Sequence, residues 1–261
     1  SIGNMTRVAT DEKGGQTFEE GDEISVYAWT GDATVAPETS ERVVNNAINK
    51  LTNGSWVSTP QMLWKNNRDK HYFIGVYPIS AISDLSAGEY TFDETKQVES
   101  DLLVAVNKDG LSYNVDEQQP VPLTFTHVMA KLVVNLTYKN QWGGIPTVEK
   151  VVVGNAAKEA TINYLTKVVT PSTTAKEDFS LPEITENTKY VSVIIPQEEV
   201  TQLTIVIGGK NFVYDNGTPF KLESGKITTV NLEVGRDEIK LGDVKITNWE
   251  DGSTFSGEAL N

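Results

Sequence analysis

The chain carries two histidines, His71 and His127, and no cysteine. A thiolate nucleophile, a disulfide and a cysteine-ligated zinc or iron–sulfur centre are therefore excluded. The histidines lie far apart in sequence, and nothing beside either supports a catalytic base or a metal-ligand pair. His71, among Asp69, Lys70 and Tyr72, reads as an exposed strand-entry residue, and His127 as a domain-edge residue whose ring bonds to backbone. Acidic clusters occur at Glu19-Glu20-Gly21-Asp22-Glu23 and Glu250-Asp251, but neither has the spacing of a calcium-binding loop, and solvated turn charges are the better reading. No metal or cofactor is expected. The spacings of a nucleophile elbow and a dinucleotide fingerprint are absent, and Ser224-Gly225-Lys226-Ile227 fails the phosphate-loop pattern because Phe220 stands where glycine is needed. Gly225-Lys226 reads instead as the turn before a strand ending at Val234. A carboxylate pair for glycoside hydrolysis stays open, since its separation is a spatial quantity that spacing does not give.

Aromatic residues offer a second kind of chemistry. The tryptophans are Trp29, Trp56, Trp64, Trp142 and Trp249, and a planar exposed set could stack on sugar rings. Trp29 and Trp249 end apparent strands and are expected to close a core. Trp56, Trp64 and Trp142 are the candidates for glycan stacking, the first two flanking Pro60.

The elements that must position these groups are strands. Short apolar-alternating runs separated by Gly, Asn, Asp and Pro dominate, which predicts an all-β sandwich architecture. Strands are expected at 23–29, 72–77, 102–106, 131–138, 148–153, 191–195, 228–234 and 243–249. The clearest hairpin joins 203–207 to 212–214 through Gly208-Gly209, with a further turn at Asp215-Asn-Gly217. In Ser40-Glu-Arg-Val-Val-Asn-Asn-Ala-Ile-Asn-Lys-Leu51, Val44, Ala47, Ile48 and Leu51 fall at helical spacing, and the segment suits a short helix or an irregular extended stretch equally. Residues 170–177 are expected to form an exposed excursion.

With 261 residues the chain is long enough for two domains, and the polar run 116–122, closing on Pro120 and Pro122, sets the division at 1–121 and 122–261. The formal net charge of −14 disfavours nucleic acid and would repel an anionic lipid surface unless a covalent anchor held the protein there. No run approaches the ~20 apolar residues of a membrane span, and the first residues lack a hydrophobic signal core, so any export signal is expected to have been removed.

Several phrases occur in an informative order: Phe18-Glu-Glu-Gly-Asp22-Glu-Ile24-Ser-Val26, Gly54-Ser-Trp56 with Leu63-Trp64, Tyr72-Phe73-Ile-Gly-Val-Tyr77-Pro78, Leu123-Thr-Phe125-Thr-His127-Val-Met129-Ala130-Lys131-Leu132, Leu222-Glu-Ser-Gly225-Lys226 through Asn231-Leu-Glu-Val234, and Ile246-Thr-Asn-Trp249. The ordered set, covering nearly the whole chain, resembles the fimbrillin-like family of type V pilus subunits and their anchor and tip relatives. The resemblance implies two tandem transthyretin-like β-sandwich domains, export as a lipoprotein precursor to the outer membrane, surface fimbriae that mediate adhesion, and no enzymatic activity. Partners would be other pilin subunits or copies of itself, with a host or bacterial surface ligand, and membrane contact only through the precursor's lipid anchor.

Assembly in that family implies strand donation, in which a trypsin-like protease removes an N-terminal strand and a neighbour's strand fills the exposed groove. The candidate bond is Arg7–Val8, although cleavage there would release only Ile2 and Met5 as apolar plugs. The tail beyond Trp249 offers Phe255, Ala259 and Leu260, and would favour a tip or accessory subunit if it completes its own domain. The competing reading is a cell-surface glycan-binding lipoprotein that does not polymerise, with a carbohydrate-active hydrolase third.

Overall fold

Runs rich in Val, Ile, Thr and aromatic residues pleat so that alternate side chains share a face, and burying that face is what drives them together. A computed structural model describes residues 9–10, 16–116, 120–249 and 254–256, and across them the regular structure is almost all strand, joined by loops. The exceptions are a four-residue helical turn, Tyr113–Asp116, and the 3-10 turns Thr39–Glu41 and Asn140–Trp142.

The first half supplies most of a six-stranded antiparallel sheet. Its strands lie in the order Thr126–His127, Leu103–Leu111, His71–Tyr77, Glu23–Thr30, Val44–Thr52 and Ser55–Thr59. The second half builds two sheets. One is five-stranded, ordered Glu183–Thr185, Lys189–Ile194, Ala130–Tyr138, Lys226–Val234 and Ile239–Asn248, with a parallel pair between Ala130–Tyr138 and Lys226–Val234. The other is four-stranded, ordered Lys176–Ser180, Lys150–Ala157, Gln197–Ile207 and Lys210–Leu222. Leu132, Val134, Val230 and Leu232 from the first of these share one apolar core with Val151, Val153, Leu203 and Ile205 from the second.

Pairings also cross residue 121. Thr126–His127 extends the six-stranded sheet, and Gly88–Thr91 pairs with Glu159–Asn163. On the other face of the six-stranded sheet, Leu123 and Phe125 are fully buried against Ile24, Val26 and Phe73. Gly75 makes room for them: a Cβ there would stand 2.6 Å from Phe125 Cζ and 3.0 Å from Leu123 Cδ1.

One open expectation takes its extended alternative, and one local expectation is overturned. Residues 44–52 form a strand, and the helix-like spacing of Val44 and Ala47 arises from a bulge. Ala28 pairs with Val44 and Val26 with Ala47, so one extra residue is accommodated, with Asn46 nearby at φ 59°. Both apolar side chains thereby stay buried. The turn expected at Asp215-Asn-Gly217 is absent: the strand runs through it, Gln202 facing Asp215 and Val200 facing Phe220. The additional residues are taken up as an irregularity within a continuous pairing, because Phe220 and Leu222 are needed in the core. Gly225, at φ 66°, does form the turn before Lys226–Val234.

Gly75→Ala is expected to lower unfolding free energy by about 1–3 kcal/mol, because overpacking forces Phe125 out of its site. Urea unfolding followed by tryptophan fluorescence measures it.

Candidate assembly surface

A strand at the edge of a sheet carries one unpaired row of backbone amides and carbonyls, so it recruits further strands unless something blocks it. Ile239–Asn248 is such an edge: it pairs with Lys226–Val234, and no strand lies beyond it among the described residues. Opposed residues of an antiparallel pair point to the same face. Ile246 faces Thr228, Val244 faces Val230 and Leu241 faces Leu232, all three partners being buried. Yet Leu241, Val244 and Ile246 are 36%, 37% and 42% exposed, so an apolar row on the core side of the sheet is left uncovered. Gly242 is the extra residue of a bulge opposite Asn231 and Leu232, which keeps Leu241 and Val244 on one face although they are three apart. On the outer face Lys245 meets Asp243 at 3.5 Å.

The end of this strand is locked by Trp249. Its backbone N–H donates to the Gly225 carbonyl, and its indole stacks on His127 with centroids 3.7 Å apart and planes 12° from parallel. The Lys131 ammonium lies over the same indole at 4.9 Å. Burial holds Lys131 below the ordinary lysine pKa, with the Asp101 carboxylate opposing that shift. Beyond Trp249, Thr254–Ser256 pairs antiparallel with Pro122–Thr124.

His127 is buried, but its ring pairs with a side chain and not with backbone: Nδ1 lies 2.8 Å from Asp101 Oδ1. A carboxylate is the stronger partner for an imidazole cut off from water. His71 is not exposed. It begins the His71–Tyr77 strand with no accessible surface, because the preceding loop folds back over it. Its Nδ1–H donates to the Asp69 carbonyl at 3.0 Å, and its Nε2 accepts the Lys65 backbone N–H at 3.0 Å. The ring also meets Trp64 edge-on at 4.9 Å.

Trp56 is 6% exposed and packed edge-on against Phe18 inside the core, so neither ring face opens to solvent. Trp64 is half-buried between His71 and Tyr113. Trp142 is half-buried, donates from Nε1 to the Val234 carbonyl at 3.0 Å and has Arg236 over its ring at 5.5 Å. Trp56 and Trp64 pack into one apolar cluster and Trp142 into the other. Arg7 and Val8 lie outside the described residues. Sequence reading missed the apolar row of Ile239–Asn248, whose signal was the alternation Ile239, Leu241 resuming as Val244, Ile246 after Gly242.

Layered, mostly antiparallel sheets with an apolar row along one edge define an all-β protein. The model of the fimbrillin-like family matches residues 6–249, and the chain belongs to that family of cell-surface fimbrial proteins, as a non-enzymatic structural subunit. It is similar in fold to a candidate cell adhesion protein of Bacteroides uniformis ATCC 8492 (TM-score 0.70, 20% identity, 91% of this chain and 95% of that one). It is also similar to one of Bacteroides ovatus ATCC 8483 (TM-score 0.68, 17% identity, 89% of each chain). The tip fimbrial protein Mfa3 of Porphyromonas gingivalis, with a C-terminal truncation, aligns at TM-score 0.54 and 11% identity over 93% of this chain and 97% of that one. No curated protein sequence matches.

Burial lowers the His71 pKa, outweighing its bond to the Asp69 carbonyl and the Asp69 charge. The folded protein thus keeps His71 neutral where the unfolded chain begins to protonate near pH 6.5. The resulting stability loss sets in as pH falls through that value and grows until the lower folded pKa is reached. Denaturant midpoints taken from pH 7.5 to 5 should fall more steeply for the wild type than for His71→Gln; parallel curves would contradict this.

Proposed function

We propose that this protein is a structural and adhesive subunit of a bacterial surface fimbria, joined to its neighbours by strand donation. An arginine-specific protease releases the N-terminal segment at Arg7–Val8, and the exported precursor is held at the outer membrane by a lipid anchor. Partners are copies of this chain or related pilins. The observation that carries the reading is the uncovered row Leu241, Val244 and Ile246 along an edge with no further strand among the described residues.

A donated strand laid beside Ile239–Asn248 would pair its backbone with the open edge and place alternate side chains on that row. Burying the remaining exposed area of three aliphatic side chains contributes a few kcal/mol, at ~25 cal/mol per Å², so the joint depends on the backbone ladder as well. The pairing of Thr254–Ser256 with Pro122–Thr124 of its own chain supports a tip or accessory position, since that tail is already engaged at home.

Treatment with an arginine-specific protease is expected to remove the N-terminal peptide and produce higher-order species by light scattering. Leu241→Lys/Val244→Lys should slow their formation at least about tenfold while leaving the monomer's melting temperature nearly unchanged, both sites being exposed. Cleaved wild-type protein that stays monomeric, or a double variant that assembles equally fast, would sink the strand-donation reading.

A further inference from the structure

A protease draws several residues into an extended backbone before it cuts, so an arginine in a folded chain is a substrate only where its surroundings open. The chain has four arginines, Arg7, Arg42, Arg68 and Arg236, and the last three lie among the described residues. Arg42 is withheld by burial: it is 8% exposed, and its guanidinium donates to the Ile82 and Ser83 carbonyls, each at 2.6 Å. Arg236 lies over the Trp142 ring. Its N–H donates to Gln141 Oε1 at 3.1 Å, and its carbonyl accepts Lys210 Nζ at 3.0 Å.

Arg68 has neither protection. It stands exposed in the loop between Ser55–Thr59 and His71–Tyr77, and its guanidinium makes no hydrogen bond or ion pair among the described residues. By side-chain access it is the natural point of attack for a trypsin-like enzyme.

The backbone around it is tied instead. Asn66 Oδ1 accepts the N–H of Arg68 at 2.9 Å and that of Asp69 at 2.8 Å, so the turn closes on the amide of the Arg68–Asp69 bond itself. Asn66 Nδ2 also donates to Asp69 Oδ2 at 2.6 Å. The buried His71 ring pins both ends of the loop, accepting the Lys65 N–H and donating to the Asp69 carbonyl, each at 3.0 Å. Between them the Asn67 carbonyl accepts the Asn114 N–H at 3.3 Å. A side-chain turn of this kind bends the chain where a protease needs it extended, and extension breaks the Asn66 bonds.

We propose that the loop 65–70 is a hydrogen-bonded guard that withholds the Arg68–Asp69 bond from arginine-specific proteolysis, so that the enzyme releasing the N-terminal segment leaves the folded body whole. The guard rests on that processing step for its purpose, yet it is read out by cutting at Arg68. Loss of the N-terminal peptide without assembly would therefore remove strand donation and leave the guard standing.

The full chain is incubated under native conditions with an arginine-specific endoprotease, and the fragments are followed by intact mass and N-terminal sequencing. The fragment beginning at Asp69 is expected at least about a hundredfold more slowly than from a synthetic peptide of residues 63–72, because cutting follows the population of the open loop. Asn66→Ala, at an exposed site, should keep a melting temperature close to that of the wild type and be cut at this bond at least about tenfold faster. Asn66→Ala/Arg68→Gln should restore resistance. Asn67→Ala, which leaves the bonded carbonyl in place, should be as resistant as the wild type. Native wild type cut at Arg68 as fast as the peptide, Asn66→Ala cut no faster than wild type, or equal acceleration by Asn67→Ala would each overturn the proposal.

Discussion

Every backbone amide in a sheet needs a partner, and the architecture of this chain follows from where that requirement is met and where it is left open. Inside the five-stranded sheet, Ala130–Tyr138 has a neighbour on each side, antiparallel on one and parallel on the other. At Ile239–Asn248 the ladder stops among the described residues, while an apolar row is still uncovered. Among the described residues pairing thus ends where apolar surface is still uncovered, and that mismatch is the basis on which we propose this edge for a donated strand.

The halves are joined by buried polar contacts as well as by apolar packing. Gln97 reaches from the first half to the Lys189–Ile194 strand, accepting the Val193 N–H at 2.8 Å and bonding to Ser192. The Asp101–His127 pair sits beneath Trp249 at the same junction. Such groups add little net stability over an apolar filling, but leaving one unpaired costs about 1–3 kcal/mol, so they penalise alternative arrangements of the two halves.

Strand content was legible because period-two alternation is a local property, visible in segments such as Glu23–Thr30 and Lys226–Val234. The misreadings share a cause. At Asn46 and at Gly242 one inserted residue shifts the phase, turning alternation into a three-residue step that imitates a helix or erases the pattern. Near Asp215 the inserted residues imitate a hairpin. In each case a partner strand decides, and the partner is far away in sequence. The same holds for His71, polar by its neighbours and buried by a loop.

Composition and order alone determined that this is an acidic, cysteine-free, all-β chain with the phrases of a fimbrillin, since these depend only on residue type and short spacing. Tertiary structure decided which tryptophans are enclosed, which carboxylate faces His127, and which edge carries an uncovered apolar row among the described residues. Those outcomes depend on strands meeting across distances of a hundred residues or so, where register is fixed by the fit of whole faces and a single inserted residue redirects a side chain.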